Sequence, residues 1–171
     1  MKLRQPDRRS CGAATLVMAR RLMQPAYAEQ VSDQQAFARE VTGLHRRLTS
    51  VADSRGAVQV PWLRAFGTPP WTVARELRRL TGHPYAVRPT RRQGQVWPWL
   101  LGATPTLPVV VYVGDRWSPR HVLLVLEHVD DAVWTYEPAA GHVTLVSRGR
   151  WEQGPLRLAG WDQPWLVCAP A

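Results

Sequence analysis

The 171 residues carry 22 Lys and Arg against 13 Asp and Glu, a formal charge of +9. That length suits one domain, 1–171, with a core that needs no disulfide framework, and two cysteines, Cys11 and Cys168, would not supply one. Lys2 is the only lysine, and the pairs Arg8-Arg9, Arg20-Arg21, Arg46-Arg47, Arg78-Arg79 and Arg91-Arg92 are dispersed, so no nucleic-acid partner is expected. No apolar stretch is long enough to span a bilayer. After Met1-Lys2-Leu3 the chain turns polar at once, so no signal peptide is expected. A cytoplasmic location fits, as does delivery by a secretion route without a conventional signal peptide, or a domain cut from a longer chain. There is no C-x-x-C or H-E-x-x-H, so no metal or other cofactor is expected.

The first element is prepared by Gln5-Pro6-Asp7-Arg8-Arg9-Ser10 and opens at Cys11-Gly12-Ala13-Ala14. A helix runs from Gly12 to about Met23, and Pro25 stops it. A helix N-terminus carries partial positive charge and free N–H groups, which favour a thiolate at Cys11. A second helix runs from about Ser32, a plausible N-cap, to about Leu48, with Phe37, Val41, Leu44 and Leu48 as its apolar stripe. His45, beside Arg46 and Arg47, is expected on the surface. Residues 50–68 are irregular, with a short extended piece at Val58 and Val60. Pro69-Pro70 opens a third helix over Trp71–Leu80, and Gly82 ends it.

His83–Arg88 reads as an extended segment and Gln95–Leu101 as a short helix. The character then changes. Leu107–Gly114 is a β-branched apolar run, a strand buried on both faces. His121–His128, Ala132–Glu137 and His142–Val146 follow as strands separated by turns at Asp130-Asp131 and Ala139-Ala140-Gly141. Trp165–Ala169 is a terminal strand that holds Cys168 as a buried thiol. The fold class is therefore α+β: a helical part, 1–105, packed on an antiparallel sheet, 106–171.

A cysteine nucleophile needs a base in hydrogen-bond reach, and the base needs an orienting group. Of the five histidines, His83 lies in a connection, and His128 and His142 sit beside turns at strand ends. His121 begins a buried strand directly after a proline-containing loop. A strand, a turn and a returning strand bring Glu137 beside it, where a carboxylate would accept the Nδ1–H of the ring. Asp115, Asp130 and Asp131 are the alternatives for that acid. Trp62, Trp71, Trp97, Trp99 and Trp117 are candidates either for a substrate groove or for packing.

With these residues in view the chain resembles the papain-like cysteine peptidases of the C39-like type, the double-glycine leader peptidases and their relatives. The resemblance runs through Gln5 with Cys11-Gly12-Ala13-Ala14, Gly67-Thr68-Pro69, Pro108-Val109-Val110-Val111, His121 with its strand, and Glu137-Pro138-Ala139-Ala140-Gly141. It implies a papain-like fold, Cys11 as nucleophile, His121 as base, Gln5 as oxyanion donor and Glu137 as third member. The family's usual third residue is an aspartate in D-P-x-x-G, so Glu137 departs by one methylene, and either strand spacing adjusts or a water mediates. The implied activity is hydrolysis of a peptide or amide bond through a thioester, on a peptide or protein substrate. A deamidase or acyltransferase effector with the same residues, or a peptide-binding module without turnover, are the alternatives. A transporter or an immunity protein as partner stays open.

Overall fold

The structure, a computed structural model, describes residues 2–50, 67–90, 96–153 and 155–171. Its elements are α1 (Cys11–Met23), α2 (Pro25–Gln30), α3 (Gln34–Leu48), α4 (Pro70–Thr81), β1 (Tyr85–Pro89), α5 (Trp97–Leu100), β2 (Val109–Gly114), β3 (Pro119–Val129), β4 (Ala132–Glu137), β5 (His142–Ser147), α6 (Arg148–Gln153) and β6 (Gln163–Pro170). The α+β class holds, with the larger helices packed on an antiparallel sheet. Among the described residues, no helix is long and apolar enough to cross a membrane. The expected extended piece at Val58 and Val60, and Trp62, lie outside the described residues.

All strand pairs are antiparallel, in the order β1-β6-β2-β3-β4-β5. Strands β2 to β5 form the expected meander. The terminal strand does not extend it: β6 inserts between β1 and β2, so Val110 pairs with Cys168 on one side and Leu124 on the other. Every residue of β2 is buried, as its unbroken apolar run requires of a strand covered on both faces. Alternation splits the strands between two cores. Val110, Tyr112, Val122, Leu124 and Tyr136 face α1, α3 and α4. Val109, Val111, Val113, Leu123 and Val125 face Trp97, Leu100 and Trp151 from α5 and α6.

Helix α1 is the axis of the helical layer. Its first nine residues, Cys11 to Ala19, are all buried, which fits a helix enclosed on most sides. At Gly12 an added Cβ would lie 2.6 Å from Thr68 Cβ, so only glycine lets the 67–69 segment cross the start of the helix this closely. Pro25 does end α1, but it also occupies the first turn of α2, where its missing N–H costs nothing. The N-cap of α3 is Asp33 rather than Ser32, its side chain accepting from the Ala36 N–H at 2.8 Å. Gly82 caps α4 with φ +77°, as expected.

His45 is a correction. It is buried, and its Nδ1 lies 3.4 Å from Thr68 Oγ1. Phe37, Val41, His45 and Leu48 fall at i, i+4, i+8 and i+11 on the face of α3 turned to the core, so helical position overrides the neighbouring arginines. His128 is half-buried, edge-on to Trp97 at 6.1 Å. His83 and His142 are exposed. Cys168 is a fully buried free thiol, and burial pushes its pKa up to about 12.

Candidate active site

The approach to α1 is built by Asp7. Its Oδ1 accepts from the Arg9 N–H at 2.7 Å and the Ser10 N–H at 2.9 Å, an Asx-type turn that aims the chain into the helix. Ser10 stands at the N-cap position, but its side chain caps nothing. Cys11 follows as the first helical residue, so its N–H has no acceptor within the helix. It lies at the wall of a cleft of about 690 Å³, together with His121.

Across the cleft the sheet supplies the imidazole. β3 begins at Pro119, two residues earlier than expected, and its pairing with β2 shifts register between Val113 and Gly114. Val113 pairs with His121 and Gly114 with Pro119, which leaves Arg120 as the extra residue of a bulge. A Cβ on Gly114 would meet Ser118 O at 2.0 Å, so glycine there is a condition of the bulge. The bulge places His121 at the rim of the sheet, where its ring reaches Cys11.

His121 and Glu137 meet directly, with Nε2 2.6 Å from Oε1, and both are buried. The pairing of Leu124 with Tyr136 brings the start of β3 beside the end of β4. The ring nitrogen is not the expected Nδ1. Glu137 is anchored past the end of its strand, where Oε1 also accepts from the Ala139 N–H and Oε2 from the Ala140 N–H, each at 2.7 Å. The carboxylate therefore meets the outer nitrogen of the ring. The extra methylene of Glu137 is taken up in this turn, and no water is needed between acid and ring. Asp115 instead accepts from the Trp117 and Ser118 N–H groups and pairs with Arg120. Asp130 and Asp131 sit at the far end of the β3–β4 hairpin.

Charge follows geometry. Burial alone would pull the His121 imidazole down, but hydrogen bonds to Cys11 and Glu137 outweigh it and carry the pKa up to about 9. Burial alone would raise Glu137; the hydrogen bonds from His121, Ala139 and Ala140 hold it below the usual carboxylate range. The two directions agree: each group favours the charged form of the other, an imidazolium against a carboxylate.

Gln5 is placed differently. Its backbone N–H donates to Pro138 O at 2.8 Å, its Nε2 donates to Asp7 O at 2.6 Å, and its Oε1 is buried without a partner among the described residues. Its side chain does not line the cleft. Sequence reasoning missed what holds this segment. Tyr136 Oη donates to Leu3 O at 2.7 Å. At Gly141, φ is +68° and a Cβ would lie 2.6 Å from Leu3 O. The stretch Glu137-Pro138-Ala139-Ala140-Gly141 thus contributes a carboxylate for His121, a carbonyl for Gln5, two amides for the carboxylate, and room for residues 3 and 4. The signal was in the motif, but only the fold says what it touches. Of the tryptophans, Trp71 lines the cleft, Trp97 is buried, Trp99 packs under Arg88 at 4.2 Å, and Trp117 is exposed against Arg116.

No family model and no curated protein sequence matches the chain. Among solved structures it is similar to the peptidase domain of Streptococcus ComA, a bifunctional ABC transporter of a quorum-sensing pathway, at 17% identity and TM-score 0.44, covering 99% of this chain and 98% of that one. The peptidase domain of Streptococcus mutans ComA matches at 16% identity and TM-score 0.46, over 99% and 98% of the two chains. A double-glycine-motif protease from an AMS/PCAT transporter, solved with its leader peptide, matches at 12% identity and TM-score 0.46, over 100% and 91%. These are likenesses in the course of the backbone, so the chemistry has to be argued from the side chains.

Proposed function

We propose that the chain is a thiol hydrolase that cleaves a peptide or amide bond through a thioester on Cys11. One observation carries the reading: the His121 ring, at the wall of a cleft, is bonded to Glu137 through Nε2 at 2.6 Å and interacts with Cys11. An imidazolium beside a helix-terminal sulfur favours the thiolate, the nucleophilic form.

In this reading the Cys11 thiolate attacks the substrate carbonyl, a C–S bond forms, and the carbonyl oxygen takes the negative charge. The Cys11 N–H holds that oxyanion, joined by a Gln5 Nε2 hydrogen once that side chain turns from Asp7 O into the cleft. When the C–N bond breaks, the His121 imidazolium gives its proton to the leaving amine. Water then attacks the thioester, His121 takes a proton from it, and the acid product leaves with the thiolate restored. Glu137 keeps the ring oriented throughout and favours its charged form before the first proton transfer and after the second.

The test has two arms. Native protein is treated with iodoacetamide, and the modified cysteine is identified by mass spectrometry: Cys11 is expected to react far faster than Cys168, and His121→Ala to slow it. Turnover is then followed on a peptide library, where Cys11→Ala and His121→Ala are expected to abolish cleavage. Full cleavage by Cys11→Ala, or equal and slow labelling of both cysteines, would overturn the reading.

A further inference from the structure

The walls of the cleft carry charge of one sign. Arg8, Arg9 and Arg120 all line it, and among the described residues no Asp, Glu or Lys does. Arg8 and Arg9 stand three and two residues before Cys11, and Arg120 directly precedes His121, so the arginines flank both halves of the reacting pair. Neither Arg8 nor Arg9 has a carboxylate partner among the described residues. Asp7, the nearest acid in sequence, turns its Oδ1 onto the backbone N–H groups of Arg9 and Ser10 and does not line the cleft. Arg120 has Asp115 at 3.2 Å, but both side chains are substantially exposed, and such pairs are weak. The remaining wall is largely apolar, with Trp71, Tyr112, Val122 and Leu166. Low-dielectric walls concentrate the field of the arginines within the cleft, and guanidinium forks match carboxylates geometrically.

We propose that the cleft selects acyl substrates bearing a carboxylate close to the scissile bond, an acidic peptide segment held by Arg8, Arg9 and Arg120. This rests on the reading of Cys11 and His121 as the reacting pair. The apolar wall takes the neighbouring side chains of that segment, and the arginines take the Asp or Glu.

The test compares two alkylating probes of nearly equal shape, iodoacetate, which carries a carboxylate, and iodoacetamide, which is neutral. The ratio of their rates at Cys11 is measured in native protein at low salt, with glutathione as the free-thiol reference. The ratio is expected to exceed that of glutathione and to fall about threefold for each arginine removed, the effect of a unit charge about 7 Å away in water. Arg8→Ala, Arg9→Ala and Arg120→Ala are read separately; Arg39→Ala, exposed on α3 and outside the cleft, leaves the ratio where it was. Added salt lowers the ratio toward the reference as charges are screened. Rapid iodoacetamide labelling with a ratio equal to that of glutathione, indifferent to the three arginines, overturns the carboxylate preference and leaves the thiol reading standing. Slow reaction of Cys11 with both probes overturns the thiol reading and the preference with it.

Discussion

The Glu137 carboxylate touches the His121 ring at Nε2, 2.6 Å away, while two consecutive backbone N–H groups, from Ala139 and Ala140, hold the same carboxylate from the other side. The acid is therefore fixed by its own turn before it meets the imidazole. Glu137→Gln leaves an acceptor oxygen but removes the charge that favours the imidazolium. Iodoacetamide labelling of Cys11 is expected to slow by at least about tenfold, in line with the weight of a positioned acid–base group. Glu137→Asp is expected to slow it too, because the shorter side chain cannot hold both the turn amides and the ring. Labelling rates of the three proteins at one pH decide the matter.

The titration of His121 is directly observable. In a ring-nitrogen NMR titration its pKa is expected near 9, against an ordinary value of 6.5. Cys11→Ala removes one of the two hydrogen bonds that raise it, so the pKa is expected to fall in that variant. A value unmoved by the substitution would mean that the sulfur does not act on the ring.

The same two groups set how stability depends on pH. The folded pKa of His121 is raised, so its contribution is fully present below about 6.5 and is lost as pH rises through about 9. The folded pKa of Glu137 is lowered, so its contribution is present above the ordinary carboxylate value and is lost as pH falls through the lowered one. Thermal unfolding is expected to be most resistant between these limits. The alkaline decline is expected to be shallower in His121→Ala, as melting curves across pH would show.

Gln5→Ala separates two kinds of reactivity. Alkylation by iodoacetamide builds no oxyanion, whereas acyl transfer does. Peptide turnover is expected to fall about a hundredfold, the usual cost of one oxyanion donor, with a far smaller change in labelling. Equal losses in both assays would assign Gln5 to holding the loop rather than the oxygen.

Gly141→Ala tests the N-terminal strap. At φ +68°, with Leu3 O 2.6 Å from the new Cβ, the substitution strains the backbone and pushes residues 3 and 4 away. A loss of about 1–3 kcal/mol is expected in chemical denaturation. Cys11 labelling is expected to slow as well, because residues 3 to 11 lead into α1.

Much of this arrangement can be read along the chain, because it depends on local pattern. The β-branched run at 109–113, the turn at Asp130-Asp131 and the stop at Pro25 are short-range signals, and each falls where the residues indicate. Cys11, His121 and Glu137 can be singled out because a chemical role demands their types at strand and helix ends. What escapes such reading is long-range. The insertion of β6 between β1 and β2 depends on which edges are free after the meander forms. The polar partner that His45 meets on the buried face of α3, Thr68, comes from a segment 23 residues away. The choice of Nε2 depends on two amides past the end of β4. The strap of residues 3 to 5 has no local signature at all, since Leu3 finds Tyr136 across 133 residues.

That last contact has a consequence for the order in which the site comes into being. Closing a span of this length is among the slower steps available to a chain of this size, since non-local contacts form only after their entropy of closure is met. During synthesis from the N-terminus, Cys11 emerges early and its partners emerge more than a hundred residues later. Until the turn at 137–141 has formed and residues 3 to 5 have settled onto it, Cys11 stands at the start of a nascent helix with no imidazole beside it. Its pairing with His121 therefore reports that nearly the whole domain is in place, so a partly made chain presents no paired cysteine and histidine to the peptides around it.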